Sequence, residues 1–331
     1  MPAKIVKAEI TDIAHMLKIR KKNNQGMVLF LGARAGSLFH CEDFYETLKE
    51  YSTNNFATRT RPEQFAECYK VLQKGRFSEN EIHTILTRSL QETTVGEAHL
   101  FVAELIKQGV FDIIISTNID SHLEDALKEL GMKEQYDFSV FLPERESLEK
   151  FLFSEARQPC KIIKAFGDLP SRGYNIIKRD FCLDTIQGMK TYLENVLSRD
   201  VLVIGFDPVW DEEMLRVFPA EKNSLWLASE EESSVRHSFS SLARHGRQIK
   251  HIMGKAGGFE QFFKALYWQL YERMPISYQL VRDTFNELRF IRTDLSQLRK
   301  ISKQVLEVYQ EVLLLQEKLS ECLEKKEGDI T

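Results

Sequence analysis

Six short runs of the chain are almost continuously apolar and rich in β-branched residues. They are 27–33 (MVLFLGA), 112–117 (DIIIST), 160–166 (CKIIKAF), 201–206 (VLVIGF), 224–228 (SLWLA) and 248–253 (QIKHIM). Strands read this way when both of their faces are covered. Apolar positions at helical spacing fall between them, at 98–106, 123–130 (stopped by Gly131), 183–197, 211–217 and 233–242. The alternation predicts an α/β fold, a Rossmann-like doubly wound, mostly parallel sheet with helices on both faces. A mainly helical insertion, about residues 41–108, separates the first two strands. Such a sheet binds ligands outside the carboxyl ends of its strands, where candidate chemistry is to be sought.

The pattern changes after Gly257-Gly258. Residues 259–271 predict an amphipathic helix with Phe262, Phe263, Leu266, Tyr267 and Leu270 on one face, closing a first domain over 1–272. From Pro275 there is no Gly or Pro until Gly328, and Ile301, Val305, Val308, Val312, Leu315, Leu319 and Cys322 recur at spacings of four and three. This C-terminal helical region, 275–327, reads either as a short coiled-coil seam or as a hairpin packing on its own domain. The first reading makes the protein a homo-oligomer or a subunit docked on a partner.

Composition narrows the function classes. The chain of 331 residues has a formal net charge of −4, so no global basic field points to nucleic acid. Residues 1–10 alternate charged and apolar positions, unlike a secretory leader, and no run approaches the ~20 apolar residues of a membrane span, so a cytoplasmic protein is expected. Five scattered cysteines without a CxxC pair, and eight histidines without HExxH, suggest neither a disulfide framework nor a metal site.

The strand tips hold the distinctive residues. The first strand runs into Gly32-Ala33-Arg34-Ala35-Gly36-Ser37, small residues that let backbone amides approach a pyrophosphate. The second ends in Thr117-Asn118-Ile119-Asp120, where Asn118 and Asp120 either orient a ribose and a water or cap the next helix. The third ends in Phe166-Gly167-Asp168, and the fourth in Gly205-Phe206-Asp207, with Asp211 beyond.

In this order and spacing, over residues 25–270, the four tips resemble the SIR2 family, in particular the SIR2-like domains of prokaryotic antiviral defence proteins. The resemblance implies NAD as cofactor and cleavage of the nicotinamide–ribose bond, with Asn118 and Asp120 catalytic. It implies cofactor binding by Gly32, Ala33, Arg34, Ser37, Thr117, Asn118, Gly167, Asp168, Gly205 and Asp207. Without the paired CxxC module of the deacylases, NAD hydrolases are the nearer relatives.

Three departures bear on activity. Phe166 stands at the family's histidine, and losing a general base costs about 10²- to 10⁴-fold in rate. Arg34 replaces a small glycine, either to pair with a phosphate or to fill the pocket. Asp207 replaces a small hydroxyl residue and brings negative charge. His40 and His122 are expected to be surface or capping residues. The expectation is a catalytically impaired pseudoenzyme, a scaffold or regulatory subunit of an antiphage complex. The alternatives are an NAD hydrolase active on stimulation, or a module that binds NAD or ADP-ribose without cleaving it.

Overall fold

All six expected strands form, and most of their residues are buried. In chain order the strands are β1 (Ile5–Lys7), β2 (Met27–Leu31), β3 (Phe111–Ser116), β4 (Phe138–Phe141), β5 (Cys160–Lys164), β8 (Val201–Ile204), β9 (Leu225–Ser229) and β10 (Ile249–Met253). A separate antiparallel hairpin, β6 (Gly167–Asp168) and β7 (Gly173–Tyr174), follows β5. The order across the sheet is β1-β10-β9-β8-β2-β3-β5-β4, and every pairing in it is parallel. This is a doubly wound α/β fold of Rossmann type. The computed structural model describes residues 5–52, 55–91, 93–143, 147–154, 158–174, 186–220, 223–231, 233–275 and 302.

The register fixes which side chains share a face. One row runs Phe141, Ile163, Ile115, Phe30, Val203, Leu227 across neighbouring strands. It packs in one core with Met189, Leu193, Met214, Val235 and Phe239, from the helices Met189–Leu197 and Ser233–Arg244 and the 3-10 turn Glu212–Val217. On the opposite face the helices Ile10–Lys22, Glu97–Lys107, His122–Glu129 and Phe259–Tyr271 pack edge to edge.

After the short helix Ser37–His40, the insertion supplies the helices Glu42–Lys49, Arg61–Gln73 and Glu79–Gln91. It is anchored to the turn after β8 by Trp210. That indole stacks on Phe65 at 4.6 Å and 13°, and its Nε1 donates to the Phe65 carbonyl oxygen at 3.2 Å. The last expected element of the insertion, Glu97–Lys107, belongs to the helical layer. The chain divides into two compact units, Met1–Pro275 and Ile276–Thr331. The heptad seam over 301–322 lies outside the described residues, as do residues 183–185 of the helix expected over 183–197. Among the described residues no helix is long and apolar enough to cross a membrane.

Candidate functional site

The chain leaves β2 toward β3 on one side and returns to β8 on the other, so the topological switch point lies between the carboxyl ends of β2 and β8. Gly205 makes the two ends meet. Its φ is +70°, and a Cβ there would lie 2.5 Å from the Ala35 nitrogen. The turn after β2 is fully engaged with the protein. The N–H groups of Gly32, Arg34, Ala35 and Gly36 donate to the carbonyl oxygens of Ile204, Gly205, Gly32 and Ala33. Ala33 N–H donates to Asp211 Oδ2 at 3.0 Å and Ser37 N–H to Asp120 Oδ2 at 2.9 Å. The turn therefore does not present a cradle of open amides, which the sequence had suggested.

Asp211 is the hub beneath this turn. Its Oδ2 also accepts the Asp207 N–H at 2.7 Å. Burial pushes its carboxyl up to about 7; hydrogen bonds from Asp207, Thr117 and Ala33 oppose that rise, and the Asp207 charge adds to it. Asp207 is buried rather than facing a ligand. Its Oδ1 accepts the N–H groups of Val209 and Trp210, both at 2.9 Å, and its Oδ2 accepts Arg34 Nε at 2.8 Å. Arg34 Nη1 reaches Glu231 Oε2 at 3.2 Å. The guanidinium thereby lines a cleft of about 410 Å³ over the ends of β8, β9 and β10, with Phe39, His40, Arg61, Phe206, Glu230 and Phe259 among its walls. His40 is exposed on its rim, as expected.

A second cleft, about 500 Å³, opens over β3 and β5, with Asp120, His122, Thr87, Gln91, Leu169 and Pro170 in its lining. His122 is buried here, contrary to the surface reading. Its Nδ1 contacts Ser37 Oγ and stands 3.7 Å from Asp120 Oδ1, while its Nε2 lies 3.4 Å from the Thr93 hydroxyl. Ser37 and Asp120 approach the same ring nitrogen, so this is not a nucleophile relay, which needs partners on opposite nitrogens. It is an oriented imidazole. The neighbouring His99 ring lies 5.7 Å away, its pKa depressed to about 4 chiefly by burial. Burial works to raise the Asp120 carboxyl, but His122, Lys164, His99 and the Ser37 amide outweigh it and hold it below the ordinary value.

Lys164, at the end of β5, went unremarked in the sequence. It is buried, its Nζ donating to the Asp120 carbonyl oxygen and pairing with Glu124 Oε1 at 3.1 Å. Asn118 is buried and lines neither cleft. Its amide rests on the turn after β2, where a Cβ at Gly36 would lie 2.5 Å from Asn118 Oδ1. A side chain at position 36 would therefore displace that amide.

Of the expected site residues, Gly32, Ala33, Arg34, Ser37, Thr117, Asn118, Asp120, Gly205 and Asp207 converge on this hydrogen-bonded layer, and Arg34, Gly205 and Asp120 reach a cleft. Gly167 and Asp168 sit in the β6–β7 hairpin, where Asp168 Oδ1 accepts the Ser171 N–H at 3.0 Å. Phe166 is buried in the core beside Ile163 and Leu169.

No family model and no curated protein matches the chain. Among solved structures, a chain from work on sirtuin substrate affinity aligns over 76% of this chain and 96% of its own, at 16% identity and a TM-score of 0.34. Two structures of the tryptophan synthase complex from Pyrococcus furiosus each align over 75% of this chain and 98% of their own, at 12% identity and a TM-score of 0.16. Likenesses at these scores support no argument about this chain. Its fold class rests on the observed strand order. Around the switch point, the described residues arrange a cleft lined by both arginines and glutamates on one side and a buried imidazole–carboxylate pair on the other.

Proposed function

We propose that this chain is a SIR2-like module that holds an adenine dinucleotide, NAD or ADP-ribose, at the switch point and has lost the family's route for cleaving the nicotinamide–ribose bond. The observation that supports this most directly is Phe166, a buried hydrocarbon ring where proton transfer would require an imidazole. The residues present suit an adenosine diphosphate. Arg34 and Arg61 supply guanidinium groups, each paired with protein carboxylates and facing Glu230 and Glu231 across the cleft, and Phe39, Phe206 and Phe259 supply apolar wall for a base. Its role is then regulatory or scaffolding, within an oligomer or beside a defence partner, a reading that rests on the resemblance and on the seam at 301–322.

A second reading, NAD hydrolysis, is favoured by one feature: His122, oriented at the mouth of the second cleft beside Asp120. NAD would supply the scissile bond, Asp120 and His122 would face it in that cleft with the proton held at Nε2, and Asn118 would act from beneath by supporting the turn after β2.

One set of measurements separates these. Calorimetric titration of the full chain with NAD and with ADP-ribose is expected to give heat for both. Nicotinamide release is expected to stay at background for wild type, Asn118→Ala and His122→Ala alike. Release by wild type that both substitutions abolish would replace this proposal with the hydrolase. Silence toward both ligands would remove the nucleotide reading. Light scattering of the same preparation is expected to exceed the mass of one chain, and a monomer that captures no partner would remove the scaffold role.

A further inference from the structure

We infer that Arg34 and Glu231 form an anion latch, in which a phosphate of the ligand displaces Glu231 from the Arg34 guanidinium. This rests on the nucleotide reading above and adds what recognises the phosphate and what competes with it.

The first support is the turn after β2. All six N–H groups from Gly32 to Ser37 already donate to protein oxygens, two of them to the carboxylates of Asp211 and Asp120. An incoming phosphate would have to break those bonds to use the amides, so a different donor is needed. Arg34 is that donor, since its guanidinium lines the cleft. The planar fork can grip two phosphate oxygens at once.

The second support is the asymmetry of its two carboxylate partners. Asp207 is 1% exposed and bonded to two further amides, so its contact with Nε fixes the side chain permanently. Glu231 is 35% exposed and meets Nη1 from the cleft wall at 3.2 Å. This half-buried pair is open to solvent on the glutamate side and is the more readily exchanged of the two, whereas breaking the buried one would strand Asp207. The Arg34 head is therefore preorganised by one acid and covered by another that a dianionic group can outcompete. Glu231 acts as the protein's own occupant of the anion position.

The test uses ADP-ribose, AMP and adenosine as probes, titrated calorimetrically into the full-length protein at fixed ionic strength. Glu231→Gln keeps the Arg34–Asp207 pair and is expected to tighten ADP-ribose and AMP about three- to tenfold, leaving adenosine unchanged. Arg34→Ala is expected to weaken the phosphate-bearing ligands roughly 10- to 100-fold, again sparing adenosine. Arg34→Ala also strands the buried Asp207, so the glutamine variant decides if it does not fold. Heat with wild type that Glu231→Gln leaves unaltered overturns the latch but not the nucleotide reading. Silence of wild type and Glu231→Gln toward every probe overturns the nucleotide reading itself. A silent wild type with a binding-competent Glu231→Gln supports a latch that is shut at rest.

Discussion

A single residue decides whether the two halves of the sheet can meet at the switch point. Gly205 has φ +70°, and its missing side chain leaves room for Ala35, whose nitrogen and Cβ would lie 2.5 and 2.7 Å from an added carbon. Gly205→Ala is therefore strained in two ways and is expected to cost roughly 2 kcal/mol or more, read as a lower urea midpoint. An unchanged midpoint would show that the turns yield cheaply. At this scale the sequence was partly legible. Gly32, Asn118, Asp120 and Gly205 stood out because short motifs at strand ends carry their own spacing. The pairing of Arg34 with Asp207 and Glu231 was not legible, because these acids lie far along the chain and only the fold brings them together. His122 looked like a cap because it opens a helix, but burial against Ser37 and Thr93 gives it another environment.

Between elements, the tip of β3 is held to the end of β5 by one buried cation. Lys164 Nζ bridges the Asp120 carbonyl oxygen and the Glu124 carboxylate, tying the start of the helix His122–Glu129 to the strand beneath it. Lys164→Met leaves Glu124 buried without that cation, and the expected loss is about 3–5 kcal/mol by chemical denaturation. Adding Glu124→Leu should recover most of it, and a double variant as unstable as the single would disprove the pairing. The six inner strands were legible because covering on both sides leaves runs that are mostly apolar and β-branched. β1 and β4 were not. β1 has three residues at the sheet edge, two of them exposed, so no hydrophobic pattern is demanded of it. β4 occupies the other edge with only four residues, Ser139 among them. The helix Ile10–Lys22 buries only Ile13, Ala14 and Leu17, a stripe too thin to stand out among its basic residues.

Across the molecule, two buried groups set opposing pH dependences. His99 is depressed from 6.5 to about 4, so between those values unfolding takes up a proton, and stability falls as pH falls. Asp211 is raised from 3.8 to about 7, so across that range unfolding releases a proton, and stability falls as pH rises. The two slopes oppose each other between about pH 4 and 6.5. His99→Gln should expose a stability that declines with rising pH, and Asp211→Asn one that climbs, each followed as the urea midpoint from pH 4 to 7. Profiles of the same slope in both variants would refute this assignment. The far edge of the sheet carries a different consequence. Ile5 pairs with Ile249, so among the described residues β1 finds its sheet neighbour in the strand farthest from it along the chain. During synthesis β1 must wait unpaired while nearly the whole domain is made, and its docking closes the longest loop in the sheet. Deleting β1 should thus disturb the final clasp of assembly and leave the earlier-forming centre intact.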